Sequence, residues 1–310
     1  REDIMEFLGK AARLLFIPLL VSLFADPAIR HRAWQAFMAA MLLTLALSYL
    51  LWLGLLPAGG FIKGEPANPV IFKLHITHNL FMAFTAFACA VQARHAPARL
   101  QAAAWGALAV LAAVNVLFLV HGRTGHLVLL VLMVYLLVAG LRWKGLAVAA
   151  VAIGAIAALA HLAPNTALYQ RTVLAYQEFS GWKPSAAAPH SSSVGLRLEY
   201  YRNTLEVIRQ HPLVGTGTGG FRQAYARQVE GTGRVTTHNP HNEFLMTAAQ
   251  LGLAGLALLL YLFWTQWRLA ARLADARQQV LARGLVLTVV TASAVSSTLI
   301  DHAEGWFYVW

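Results

Sequence analysis

Long apolar runs alternate with short polar links along this chain, and the rhythm has the length of membrane helices. The runs at 33–56, 74–93, 100–120, 126–141, 146–162, 244–264 and 284–300 each approach the ~20 residues that cross a bilayer. A further run begins at Trp306. Segment 11–25 is apolar but short, and Pro57 to Lys73 reads as a Gly- and Pro-rich loop. The rhythm breaks once, over the long non-apolar stretch 163–243. Within it Ser191 to Ser193 offer an N-cap, and Val194 to Gln210 reads as a helix stopped by His211-Pro212. Leu198, Leu205 and Ile208 are expected on one face of that helix, and the Pro/Ala/Ser run 180–193 is expected to be mobile.

These patterns divide the chain into membrane helices over 1–162, a loop domain over 163–243 and C-terminal membrane helices over 244–310. The sequence starts at Arg1 and stops at Trp310 inside an apolar-aromatic run. Both ends are expected to be incomplete.

Composition turns the pattern into a class. Hydrophobic residues make up 58% of the chain and charged residues 12%, against about 25% charged in soluble domains. The chain therefore reads as an all-α polytopic membrane protein. Its net charge of +11 is first a matter of topology. Basic links at 30–32, 94–99, 142–144 and 268–283 fall on one side when helices alternate, which makes that side cytoplasmic. The links at 57–73, 121–125, 163–243 and 301–305 fall on the other. The short first segment does not fit the alternation, and reads as a partial span or one that follows helices upstream. The second meaning of the basic excess is contact with anionic head groups or diphosphates. With no soluble basic domain in the sequence, nucleic acid is a poor partner. One cysteine, Cys89, excludes a disulfide framework and a Cys-based zinc site.

Candidate chemistry gathers at His238–Gly255, HNPHNEFLMTAAQLGLAG. Two imidazoles and two carboxamides lead straight into an apolar helix. Polar groups at a membrane boundary are costly unless they face water, protein or substrate. His241 and Asn242 form a helix-capping pair, or His241 is a neutral general base. His238 is the alternative base. A His-x-x-His metal site lacks Cys or Asp in the same loop, so no metal is expected. Arg123, in HGRTG, is a solvated anchor or an anion-binding fork. Arg197 is a surface residue paired with Glu199 or Glu206, or a second anion contact. Gly215–Gly220, GTGTGG, has the GxGxxG spacing but neither a βαβ unit nor a following Lys-Ser/Thr. It reads as a tight turn with N–H groups open to an anion. No Asp lies within 163–243, so a donor held through a clustered-carboxylate metal site is not expected. Asp301 and Glu304 are an interfacial polar cap, or orient a histidine.

HPLVGTGTGGF at 211–221, followed by His241-Asn242, nine residues and Gly252-Leu-Ala-Gly255, resembles the O-antigen ligase superfamily. That superfamily includes O-antigen polymerases and protein O-oligosaccharyltransferases. HGRTGHLVLL at 121–130 and SVGLRLEYYRNTLEVI at 193–208 resemble its two arginine motifs, and DHAEGWFYVW at 301–310 resembles the end of the ligases in particular. The resemblance implies a GT-C-like transmembrane bundle in a Gram-negative inner membrane, with one large periplasmic loop domain containing short helices. It implies a metal-independent, inverting glycosyltransferase without cofactor, its active site facing the periplasm. The donor would be O-antigen glycan on undecaprenyl diphosphate. The acceptor would be a sugar hydroxyl of lipid A–core oligosaccharide, as in lipopolysaccharide assembly. By motif position His241 would activate the acceptor, with Arg123 and Arg197 on the diphosphate. Arg222, after the glycine turn, is a lesser diphosphate candidate, and His238 and Asn242 are secondary candidates. Polymerase or protein O-oligosaccharyltransferase activity stays open, as does, in another class, a polyprenyl-glycan transporter.

Overall fold

A computed structural model describes residues 5, 8–9, 12–183, 192–299 and 301–309. Lys10, Ser191, the 184–191 part of the run expected to be mobile, and Trp310 lie outside the described residues. The described chain is helical, with only two isolated antiparallel bridges, Gly59–Ile62 and Glu65–Asn68. Among the described residues, six helices are long and apolar enough to cross a membrane. The protein is an all-α, multi-pass membrane protein.

A 3-10 turn, Ala12–Phe16, leads into α1 (Ile17–Phe24). Eight residues rise about 12 Å at 1.5 Å each, far short of a bilayer, which agrees with a partial span. α2 (Pro27–Trp52) begins earlier than the apolar pattern alone indicates. Asp26 accepts from Ala28 N at 2.8 Å and Pro27 takes the first helical position, a strong start signal. Arg30, His31 and Arg32 therefore lie inside the helix, correcting their reading as a link.

α3 (His75–His95), α4 (Arg99–Val114) and α5 (Arg123–Leu141) follow, then α6 (Lys144–Leu162). α4 runs on into a π-helical turn, Asn115–Leu119. The long stretch is more ordered than its composition indicates. It holds α7 (Ala167–Ser180), α8 (Ser193–Gln210) and α9 (Phe221–Val229). Ser192 caps α8 by accepting from Gly195 N at 3.1 Å, as the sequence indicates. α10 (Glu243–Ala270) is broken at Gly252. α11 (Ala276–Ser293) starts earlier and stops earlier than the apolar run 284–300, and takes Arg277 and Arg283 into the helix. α12 (His302–Val309) closes the described chain.

Contacts group these elements into two units, interleaved in sequence. The grouping follows packing, whereas the sequence division follows membrane against loop. One unit joins 26–173 with 266–291. Its centre is α3, the most buried span, against which α4 and α5 pack. Gly284 lets α11 approach the Phe87 ring of α3, where any Cβ would collide. Tyr135 bridges Phe87 and Trp267 at centroid distances of 6.1 and 5.7 Å, and Arg283 lies 5.0 Å over the Trp267 ring.

The other unit joins 1–25, 174–265 and 292–310. Its core is Tyr200, Val207 and Ile208 of α8, Phe221, Tyr225 and Val229 of α9, and Met246, Ala248 and Ala249 of α10. This corrects the face assigned to α8. Leu205 is exposed, while Tyr200, Thr204, Val207 and Ile208 point inward. A tyrosine outweighs a leucine as core filler here because a single ring meets both α9 and His241.

Candidate functional site

The unit containing α8 and α10 places His241 at the mouth of α10, ahead of the first helical residue. Its φ is 57°, in the left-handed region. Such a conformation costs a non-glycine residue about 1–2 kcal/mol and persists only where the surroundings enforce it. The surroundings are specific. Asn239 Oδ1 accepts from His241 N at 2.8 Å and from Ser297 Oγ at 2.5 Å. Tyr201 OH donates to His241 O at 3.2 Å. The Tyr200 ring stacks beside the imidazole at 6.3 Å between centroids, inclined by 27°. Asn242 caps α10 by accepting from Leu245 N at 3.0 Å, and its amide donates to Ala294 O at 2.8 Å. Glu243 accepts from Leu299 N at 2.9 Å. Three donors or acceptors from segment 294–299 thus brace the head of α10.

Arg197, Tyr200 and Tyr201 follow at i, i+3 and i+4 on α8, so they share one face. That face meets His241. Burial pushes the His241 pKa below the ordinary 6.5, and the charges of Arg197 and then His238 push it the same way. The imidazole is therefore neutral at neutral pH and able to take a proton. Burial raises the Tyr201 phenol, opposed by the Arg197 charge and a hydrogen bond with Asn242. Of the two carboxylates that spacing offered Arg197, Glu206 pairs with Arg209 at 3.3 Å and Glu199 is buried.

His238, the alternative base, is exposed, three residues from His241. Arg222 is exposed at the second position of α9. Five of the six N–H groups of the glycine turn before it are taken by protein acceptors, which corrects the expectation of a turn open to an anion. Gly215 N donates to His211 O at 3.1 Å, Thr216 N to Ala249 O at 2.8 Å, Gly217 N to Gln250 O at 2.9 Å and Gly220 N to Gly217 O at 2.9 Å. Gly219 N donates to the Gln250 side chain. The turn is instead a lock on the break in α10. Leu253 N donates to Pro212 O at 2.8 Å. A Cβ on Gly215 would strike the Gln250 backbone, and one on Gly252 the Leu213 backbone. The two glycine motifs in the sequence are the two halves of one backbone-to-backbone contact.

Arg123 belongs to the other unit, where it opens α5. The turn before it is threaded around Asn79 of α3. Asn79 Nδ2 donates to Val120 O at 3.1 Å and Gly122 O at 3.3 Å, and a Cβ on Gly125 would strike Asn79. The glycine two residues after Arg123 is thus a packing requirement. Beneath it runs a buried polar chain. His78 Nε2 meets Asn115 Oδ1 at 3.0 Å, Asn115 Nδ2 donates to Ser48 Oγ at 2.8 Å, and Ser48 Oγ donates to Pro69 O at 2.6 Å. His121 N donates to Asn68 Oδ1 at 3.0 Å. Burial, then the Arg171 charge, lower the His121 pKa against a hydrogen bond with Gln170.

The structure therefore gathers Arg197, His238, His241 and Asn242 in one unit and sets Arg123 in a separate polar cluster of the other. Sequence reasoning missed Tyr200, Asn239 and Ser297. The i, i+3, i+4 spacing from Arg197 is a signal for the tyrosines. Nothing local marks Ser297, which arrives from 58 residues beyond its partner.

No curated protein matches the chain. Residues 107–260 match the family described as O-antigen ligase, a stretch that contains Arg123, Arg197, Arg222, His238, His241 and Asn242. With the helical membrane fold and the His241 site inside that match, the chain belongs to the O-antigen ligase superfamily.

Proposed function

We propose that the protein is a glycosyltransferase that moves O-antigen glycan from undecaprenyl diphosphate to a sugar hydroxyl of lipid A–core oligosaccharide. The observation that carries this reading is His241: neutral at working pH, held in a strained backbone conformation, and facing Arg197. Strain of that kind at a potential base supports a catalytic role over simple capping, which Asn242 already performs.

In the proposed reaction the acceptor oxygen attacks the anomeric carbon, and its proton passes to the His241 imidazole. The bond between the anomeric carbon and the diphosphate oxygen breaks, and the diphosphate leaves with the electron pair. Attack from the opposite face inverts the anomeric centre. Arg197 offsets the charge that develops on the leaving group. Arg123 and Arg222 carry the same proposed assignment from their places in the matched segment. The broken diphosphate ester drives transfer, so neither metal, cofactor nor nucleotide enters the scheme. The proposed setting is the Gram-negative inner membrane with the site on the periplasmic side, where lipid-linked donor and acceptor meet.

The test is transfer by purified protein from undecaprenyl-diphosphate glycan, without added metal or nucleotide. Lipid A–core, a second donor molecule and a pilin-like peptide are offered separately. Transfer to lipid A–core alone is expected. Transfer to the second donor would make the protein a polymerase, and transfer to the peptide a protein glycosyltransferase. No transfer by folded protein would overturn the enzyme reading in favour of a transporter.

A further inference from the structure

The lock between the glycine turn and α10 has a consequence for the membrane. α10 has 28 residues, about 42 Å of helix, and is broken at Gly252. The portion after the break, 253–270, rises about 27 Å, close to the ~30 Å hydrocarbon layer. The edge of that layer therefore falls near the break. The backbone of the turn is fastened at the same level, through Leu253 N to Pro212 O and Thr216 N to Ala249 O, both 2.8 Å. At its tip Leu213 and Val214 are 71% and 77% exposed. Leu213 presents its backbone to Gly252, so its side chain points away from the helix.

Irregular backbone survives at membrane depth only where its polar groups are satisfied within the protein. The body of the turn meets that condition, since Gly215, Thr216, Gly217 and Gly220 donate to protein carbonyls, and the tip N–H groups of Leu213 and Val214 are left to the head-group layer at the edge. Leu251 and Leu253 extend the apolar surface on either side of the break, and Arg209 and His211 are exposed at its polar flank. An apolar tip with a polar flank is the composition of a segment seated at a lipid interface.

We propose that Leu213 and Val214 are a lipid-inserted wedge, seated among acyl chains at the edge of the leaflet where α10 is broken. The wedge ties the helical loop region α8–α9 to the bilayer by something other than the spans. It needs no substrate, so it stands apart from the transfer reaction proposed above.

The test uses the full chain in donor-free liposomes of neutral and anionic phospholipid. Leu213→Cys and, separately, Val214→Cys are labelled with an environment-sensitive fluorophore; native Cys89 is buried. Glu230→Cys, at an exposed position beyond α9, is the aqueous reference. Leu258→Cys, exposed within the apolar part of α10, is the membrane reference. The expected result is that labels at 213 and 214 are quenched several-fold more by lipid-borne doxyl groups near the head group than by aqueous iodide. Label 258 should favour doxyl groups deeper in the chains, and label 230 should favour iodide. Labels at 213 and 214 that follow the aqueous reference would overturn the proposal. So would shielding from both quenchers, which would mean that protein, such as a second copy of this chain, covers the tip.

Discussion

Gly252→Ala is the substitution whose cost follows most directly from the structure. Gly252 has φ 68° and ψ −171°, a region essentially reserved for glycine. Placing alanine there costs about 1–3 kcal/mol in backbone strain. The new methyl would also strike the carbonyl of Leu213 and the nitrogen of Val214. Relief of that collision has to move the turn, and the bonds Leu253 N to Pro212 O, Thr216 N to Ala249 O and Gly217 N to Gln250 O lie in its path. Losing one or two of them adds about 1 kcal/mol each. The expected loss is about 2–5 kcal/mol, read as a lowered midpoint of thermal or denaturant unfolding in detergent. Gly154→Ala is the matched control, since its Cβ would meet nothing within 4 Å in the middle of α6. There alanine should be neutral or slightly stabilising. If Gly252→Ala unfolds at the same midpoint as Gly154→Ala, the interlocked-glycine explanation of the motif is wrong.

Further outcomes follow from the two polar clusters. The folded pKa of His241 lies below its unfolded value, so the unfolded chain binds more protons between the two. The stability linked to neutral His241 is complete above about pH 6.5 and declines as pH falls through the folded value, and the acid limb of kcat/KM, which reports the free protein, should lie below about 6.5 as well. His238→Gln removes one like charge and should shift that limb to higher pH while turnover persists; an unmoved or lower limb would refute the coupling. Asn79→Ala removes a buried side chain and its donations to the Val120 and Gly122 carbonyls, for a loss of about 2–4 kcal/mol. Because the same turn sets Arg123, the KM for lipid-linked donor should rise more than kcat falls. An unchanged KM would separate Arg123 from donor binding.

Much of the fold was legible because membrane helices announce themselves by apolar length alone. Where a start signal was read, as at Ser192 before α8, the helix began within a residue of its expected place. Where it was not, as at Asp26-Pro27, three basic residues were misplaced into a link. α7 and α9 escaped notice because short amphipathic helices carry no span-length signal and are fixed by tertiary packing. The site was legible as residues and illegible as geometry. Arg197 and His241 could be named, but φ at His241 and the support from Asn239 and Ser297 depend on backbone from distant segments. The glycine turn shows the same limit. Its spacing resembles an anion cradle, yet its N–H groups are spent on α10 and on the turn's own carbonyls, and only those partners distinguish the two.

The central claim is that His241, and not His238, takes the acceptor proton. The direct measurement is the single-turnover rate of glycan transfer for His241→Ala and His238→Ala, each shown to be folded and to bind the lipid-linked donor. The account predicts that His241→Ala loses about 100-fold or more, the usual share of a general base, while His238→Ala stays within a few fold of the unaltered protein. Equal losses in the two variants, or a His241→Ala protein that transfers at the full rate, would contradict it.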